Sequence, residues 1–312
     1  MIALPRLLLC WIFLLVSCTA IPQTITPSPE IAPGIDPAKA KVPATFRIAS
    51  ETLTELSGLA ASRVYPGIFW GHNDSGNAPE LMAFDQAGAS RGVWKVAGAK
   101  AVDWEDLAIA PDGSGGWDLW IADTGQNGGV HPPVLYRVSE PVPQAAGQTT
   151  PAVTATAERY PVRWPLGAPD CEALMAHPQS GDLYLIAKEA GSATVCVARR
   201  ADMAPGRETA LEKVAVVKLP GVMSGTVTGA DISPDGRRAA LCSYTSVALF
   251  SATPAGSFDS AWQEPPIALP VPFQGQRESI CFTADGTALI TSQEGARPEV
   301  RRTFLPAAIR RP

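Results

Sequence analysis

The sequence predicts an all-β fold: a β-propeller of five four-stranded blades, closed by a strand from the N-terminal side. Three observations carry that prediction. The first is an internal repeat. Five segments open on a small or acidic residue, run through an apolar stretch, turn, and enter a second apolar stretch: Ser57-GLAASRVYPGIFWGHND, Glu105-DLAIAPDGSGGWDLWIAD, Glu172-ALMAHPQSGDLYLIAKE, Thr228-GADISPDGRRAALCSY and Glu278-SICFTADGTALITSQE. The second is turn chemistry, since YPG, PDG, PQSGD, PDG and ADG each place Gly or Asp where a hairpin needs positive φ. The third is spacing: the lead residues stand 48, 67, 56 and 50 positions apart, one blade per repeat with loop insertions. Six blades is the alternative count.

The elements follow in order from the N-terminus. Residues 1–17 read as an export signal, with the single charge of Arg6 before an apolar run, Leu7 to Val16, that is too short to span a bilayer, which needs about 20 residues. The run ends in Leu15-Val16-Ser17-Cys18, which resembles the lipobox of bacterial lipoproteins. That resemblance implies cleavage before Cys18 and acylation of Cys18, anchoring the chain to a lipid membrane. Thr19 follows the cysteine, and the absence of aspartate there points to the outer membrane, facing the periplasm. Residues 18–44 are a Pro-rich tether, with prolines at 22, 27, 29, 33, 37 and 43. Residues 45–312 are the propeller domain.

Within that domain each repeat supplies strands A to D. The first reads GLAAS, IFWGHN, ELMAFD and RGVWKVAG; the second continues with VLYRVSEP and a strand near ATAERYPVRW. The third adds TVCVARR and KVAVVKL, and the fourth SVALFSA and PIALPV. The fifth has A, B and then Val300-RRTFL as C, after which the chain ends without a D strand. Phe46-RIAS is left over before the first repeat. It is therefore expected to complete the fifth blade, closing the ring and removing an exposed edge.

Loss of residues 1–17 removes Arg6 and none of the 30 acidic residues, which takes the formal charge from −5 to −6. Nucleic acid is not an expected partner, because that needs a clustered basic face. Four cysteines remain in the domain: Cys171, Cys196, Cys242 and Cys281. They allow three pairings in an oxidising compartment, or buried free thiols, and their spacing fits no zinc motif.

In a propeller the A strands line the axis, and the D-to-A and B-to-C connections share one face. The polar residues at these places therefore converge on one acidic funnel. Asp103, Glu105, Asp106, Asp170, Glu172, Asp231, Arg277 and Glu278 come from the A starts. His72, Asn73, Asp74, Asp123, Asn127, Lys188, Glu189, Tyr244 and Glu294 come from the B ends. One reading is structural, with carboxylates capping turns and accepting backbone N–H bonds. The other is functional: Glu105, Glu172 and Glu278 recur at one repeat position, and like charges around a channel demand a cation, a shared proton or nearby Lys and Arg. Lys188 and Arg277 are the candidate neutralising groups, and Ca²⁺ is the candidate metal, held by Asp74, Glu105, Asp106 and Glu172 through oxygen. The catalytic candidates are His72, Asp74, Glu105, Glu172 and Lys188. Asn73, Asp103, Asp123, Asn127, Asp231, Tyr244, Arg277, Glu278 and Glu294 are the ligand-binding candidates.

Two other chemistries are excluded by position. Asp74-Ser75-Gly76 and Asp123-Thr124-Gly125 mimic the halves of an aspartic-protease dyad, but they lie only one blade apart. No GxSxG elbow occurs. Of the three histidines, His177 falls in a turn on the opposite face and His131 among prolines, which leaves His72 as the one placed for acid–base work, with a structural role bridging carboxylates as the alternative.

His72-NDSG, Asp103-WEDLA, the D-x-G-[DQ]-N segment at Asp123 and Thr228-GADISPDG together resemble bacterial secreted propellers of the phytase-like or esterase-like type. The resemblance spans Glu55 to Gly295. It implies a propeller with a polar central site and, as one possible activity, ester or phosphoester hydrolysis. Gln126 departs from the pattern where aspartate is common, and Cys242 where arginine is. Two functions follow as expectations. One is a membrane-anchored propeller presenting its acidic funnel to a small anionic ligand or an envelope protein. The other is a Ca²⁺-dependent phosphoesterase or esterase acting there.

Overall fold

The computed structural model describes residues 44–306, except 128, 130, 149, 222 and 255, together with residue 309. The export signal, Cys18 and all but the last residue of the tether lie outside the described residues. No helix among the described residues is long and apolar enough to cross a membrane.

Strands are numbered in chain order. Blade 1 is β2 (Leu56–Ala61), β3 (Ile68–Asn73), β4 (Glu80–Asp85) and β5 (Ser90–Lys95), with a short outer strand β9 (Ala152–Val153). Blade 2 is β6 (Trp104–Pro111), β7 (Trp117–Asp123), β8 (Val134–Ser139) and β10 (Glu158–Arg163), with outer strand β14 (Thr209–Ala210). Blade 3 is β11 (Cys171–Ala176), β12 (Leu183–Ala187), β13 (Ala193–Ala198) and β15 (Glu212–Val217). Blade 4 is β16 (Gly229–Ile232), β17 (Arg238–Cys242), β18 (Val247–Ser251) and β19 (Ile267–Leu269). Blade 5 is β20 (Arg277–Phe282), β21 (Ala288–Gln293) and β22 (Glu299–Phe304), completed by β1 (Thr45–Arg47), which pairs antiparallel with β22 through Phe46 opposite Val300. The fold is a five-bladed propeller, and its N-terminal strand closes the last blade.

Each blade is a twisted sheet sandwiched between two others, so its inner strands bury both faces. This explains why β2, β3 and β11 read as continuous apolar runs, buried along their whole length, while outer strands such as β10 alternate. The core is divided accordingly into five apolar clusters, one per seam. Trp70, Trp94, Trp104 and Tyr136 fill the seam between blades 1 and 2, and Trp120 and Tyr160 the next. Phe46 of β1 packs beside Phe84 and Val300 in the seam between blades 5 and 1. The Pro-Asp-Gly turns place Gly113 and Gly236 at φ of 85° and 72°, a region open to glycine without steric cost.

The C-to-D links reach back to the preceding blade, a feature the repeat pattern does not reveal. The link after β8 lays β9 parallel on β5, and the link after β13 lays β14 parallel on β10. The link after β18 carries a 3₁₀ turn, Phe258–Trp262, whose Phe258 enters the seam with blade 3. After β4, Ala89 bridges Ala49 beyond β1, and after β22, Leu305 joins Leu269 of blade 4. Every seam thus carries a strap as well as a core. Cys171, Cys196, Cys242 and Cys281 are free thiols, all buried, so the ring is held without a disulfide among the described residues.

Candidate functional site

The inner strands share a local irregularity. The pairing of the innermost strand shifts register between Leu56 and Leu59, Trp104 and Leu107, Cys171 and Ala173, and Arg277 and Ser279. Such a bulge re-aims side chains at the end of a strand. Three of the four shifts contain the recurring glutamates Glu105, Glu172 and Glu278. All three are buried.

Around Glu105 the carboxylates crowd. Oxygens of Asp74, Asp103 and Glu105 lie within 4.8 Å of one another, and so do oxygens of Glu105, Asp170 and Glu172. Glu105 belongs to both triads. Asp74 follows β3, Asp103 precedes β6 and Asp170 precedes β11, so three connections on one face deliver the set. Backbone amides meet part of the need: Asp74 accepts from Ser75 N–H at 2.5 Å, Asp103 from Asn127 N–H at 2.5 Å, and Asp170 from Gln126 N–H at 3.2 Å. Glu105 Oε1 and Asp103 Oδ1 remain buried with no hydrogen-bond partner. Gly125 makes room for both side chains, since a Cβ there would stand 1.8 Å from Glu105 Oε1 and 2.5 Å from Asp103 Oδ2.

One cation enters the set. Lys188 Nζ donates to Glu172 Oε1 and sits 5.3 Å from the centre of the Tyr244 ring. Burial opposes the lysine's charge, but Glu172 and Tyr244 outweigh it and hold Lys188 above its ordinary range. The carboxyls shift the other way. Burial, then the charges of Glu172, Asp74, Asp103 and Asp170, pushes Glu105 up. Burial raises Glu172 in spite of Lys188, and it raises Asp74 and Glu294 as well. Glu278 is pushed up to about 9 by burial and then by Glu172 and Glu294.

The remaining sequence candidates lie elsewhere in the architecture. Asp106 sits on the axis, where its carboxylate accepts from Leu107 N–H at 2.7 Å, Leu174 N–H at 2.9 Å and Ala230 N–H at 3.2 Å, joining blades 2, 3 and 4. With those oxygens turned to amides, Asp106 stands outside both triads. Asp231 repeats the device between blades 4 and 5, accepting from Ile232 and Phe282 N–H at 2.8 Å each. The Arg277 guanidinium donates to the carbonyls of Ser243, Ser246 and Pro272, not to the carboxylate set. His72 is fully buried in the seam of blades 1 and 2. Its ring lies edge-on to Trp104, its Nδ1 is 2.9 Å from Asn73 O, and Nε2 would be 2.2 Å from a Cβ on Gly58. Burial lowers its pKa to about 4, so the imidazole is neutral. The Asn73 side chain pins Thr52, Thr54 and Glu55, and Asp123 caps Asp103 N–H at 2.7 Å. Asn127 contributes its backbone amide, while Tyr244 and Glu294 flank Lys188 and Glu278.

Residue-type reasoning did not find Gly125, whose role follows from the space it leaves. It also passed over the hydroxyl latches between blades, although two of them sit at repeat leads. Ser57 donates to Glu105 O at 2.5 Å, Thr124 to Cys171 O at 2.7 Å and Thr228 to Arg277 O at 2.7 Å.

No protein-family model matches the sequence. No curated protein matches it either. Among solved structures the chain is similar to a gluconolactonase from Xanthomonas campestris, with 12% identity, 81% of this chain and 88% of that one covered, and a TM-score of 0.44. It is also similar to the PQQ-bound aldose sugar dehydrogenase from Streptomyces coelicolor, with 10% identity, 83% and 98% covered, and a TM-score of 0.44. Likeness at this level extends to neither residues nor reaction.

Proposed function

We propose that this propeller is a lipid-anchored envelope protein, acylated at Cys18 and facing the periplasm from the outer membrane. In this reading its acidic face takes a divalent, oxygen-preferring cation and, through it, an anionic ligand. The observation that carries the proposal is a pair of buried oxygens without a hydrogen-bond partner, Glu105 Oε1 and Asp103 Oδ1, on two members of the carboxylate triad that Asp74 completes. A buried polar oxygen left without a partner costs roughly 1–3 kcal/mol, and a cation displacing the proton that burial favours on Glu105 would satisfy both oxygens. The donors are all oxygen, which suits Ca²⁺ better than zinc or copper. A bound cation would supply Lewis acidity and an open coordination position for an anion. Asp74, Asp103 and Glu105 would hold it, and Lys188 would meet the anion from the side of Glu172.

A second reading, hydrolysis of phosphoesters or carboxyl esters, is favoured by the sharing of Glu105 between two triads, an arrangement that suits a water-activating metal centre. Screening p-nitrophenyl phosphate and p-nitrophenyl butyrate with Ca²⁺ separates the readings. Turnover that disappears in both Glu105→Gln and Glu172→Gln supports hydrolysis; Ca²⁺ binding without turnover supports the ligand-binding reading. Absence of bound cation at millimolar Ca²⁺ refutes both. Globomycin-sensitive processing and labelling of the chain by alkyne-palmitate test the anchor, and a Cys18→Ala chain that still takes up the label contradicts it.

A further inference from the structure

A cavity of 290 Å³ opens between blades 3 and 4, on the face opposite the carboxylate triads. Three connections build it: the turn from β11 to β12, the turn from β16 to β17, and the link after β18. Phe258 supplies an apolar wall, its ring 5.3 Å from the His177 ring and 5.2 Å from that of Tyr184. His177 is held in one tautomer, since Nδ1 accepts from Ser180 N–H and Nε2 donates to Gly236 O, each at 3.2 Å. Burial lowers its pKa, so this wall carries no charge. Arg199 is fixed by carboxylates, Asp259 at 2.6 Å, Glu212 at 3.2 Å and Asp182 at 3.5 Å. Two groups of the lining are left over. Ser257 stands at the N-cap of the 3₁₀ turn yet makes no cap hydrogen bond. The exposed Arg237 has neither a hydrogen bond nor an ion pair through its side chain among the described residues.

We infer that this cavity is a ligand site for a single saccharide ring that carries a carboxylate. The size sets the first limit: pockets for drug-sized ligands run from about 300 to 1,000 Å³, so this one holds one ring and not a chain. The walls set the second. A sugar ring has an apolar C–H face, which suits Phe258, and an edge of hydroxyls that each donate and accept. The polar lining offers both roles, with Asp182 as acceptor and Arg199, Ser180 and Ser257 as donors. Charge sets the third. Inside the cavity the ionic groups already answer one another, Arg199 against three carboxylates and His177 neutral, so the interior favours hydroxyls over ions. Arg237 is the exception, and one free guanidinium matches one carboxylate through two parallel N–H···O bonds. The site is independent of the cation reading, because none of its residues belongs to the acidic face.

Saturation-transfer difference NMR on the full chain in detergent tests this, with D-glucuronate, D-glucose and acetate as ligands. Chelator is present throughout, so that no cation on the acidic face contributes. Wild type is expected to saturate the ring protons of both sugars and to bind glucuronate roughly tenfold more tightly than glucose, the worth of one charge-assisted contact. Arg237→Gln should bring glucuronate down to the level of glucose and leave glucose unchanged. Ser257→Phe, which fills the cavity from an exposed position, should abolish both signals with an unchanged melting temperature. Binding of neither sugar, equal binding of the two in wild type, acetate that displaces glucuronate at equal concentration, or full binding in Ser257→Phe each overturns the inference. If Ser257→Phe melts lower, Arg237→Gln alone decides, and an unchanged preference for glucuronate in it overturns the inference.

Discussion

Gly125→Ala probes the acidic set without touching a charge. The backbone of Gly125 lies outside the left-handed region, so alanine introduces no strain in φ. The added Cβ meets Glu105 Oε1 at 1.8 Å, where ordinary contact begins at 3.4 Å, so the carboxylate must retreat by 1.6 Å, the difference between the two. Calcium–oxygen bonds span only about 2.3–2.6 Å, so a displacement of that size removes Glu105 as a ligand. Loss of one ligand or its support typically weakens metal binding by roughly 10–100-fold. Overpacking also lowers stability by roughly 1–3 kcal/mol. Urea unfolding in chelator gives the stability term, and Ca²⁺ titration gives the binding term. Unchanged Ca²⁺ affinity together with unchanged or raised stability would refute the placement of Glu105 against Gly125.

The other predictions concern the axis, the closure and the carboxyls. Asp106→Ala leaves three buried amide N–H groups without an acceptor, each costing roughly 1–3 kcal/mol, so its urea midpoint should fall far below that of Asp74→Ala; equal midpoints would contradict the axial role. Phe46→Ala, which empties part of the closing seam, should cost about 3–5 kcal/mol in the same assay, and a loss under 1 kcal/mol would show that β1 does not hold the ring. Burial raises the pKa of Asp231 to about 6 and that of Glu278 to about 9, so the folded state holds protons that the unfolded state has released. The penalty is absent below the unfolded carboxyl pKa of about 4 and grows as pH rises through the folded values, so Tm in chelator should fall from pH 5 to pH 8. Asp112, Asp235, Asp259 and Asp285 shift downward instead and act only at more acid pH. A Tm that rises between pH 5 and pH 8 would contradict the burial of these acids.

The blade count was legible because each blade repeats the same local physics: an apolar run, a turn with glycine or aspartate, and a second apolar run. The closing strand was legible by subtraction, from a fifth repeat short of one strand and Phe46-RIAS without a partner. The straps were not. β9 and β14 are two residues each, and their parallel pairing with β5 and β10 is a long-range event that leaves no period in the sequence. At the site, the recurrence of Glu105, Glu172 and Glu278 located the shared position, but one residue further on the role changes completely. Glu105 faces the carboxylate set while Asp106 turns to three amides, a distinction made by the bulge between Trp104 and Leu107. Arg277 illustrates the same limit. Its place at an A-strand start suggested a counter-charge, yet its guanidinium closes the loop carbonyls of Ser243, Ser246 and Pro272.

The central claim is that Glu105 is a carboxylate kept in an unfavourable place because a cation completes it. Thermal unfolding of wild type and Glu105→Gln, each in chelator and in millimolar Ca²⁺, tests it most directly. In chelator at neutral pH the two should melt within a few degrees of each other, since burial and the neighbouring carboxylates favour the protonated, uncharged Glu105 that glutamine mimics. In Ca²⁺ they should separate, with wild type rising well above its chelator value and the variant hardly moving. Parallel behaviour of the two proteins in both buffers would contradict the account.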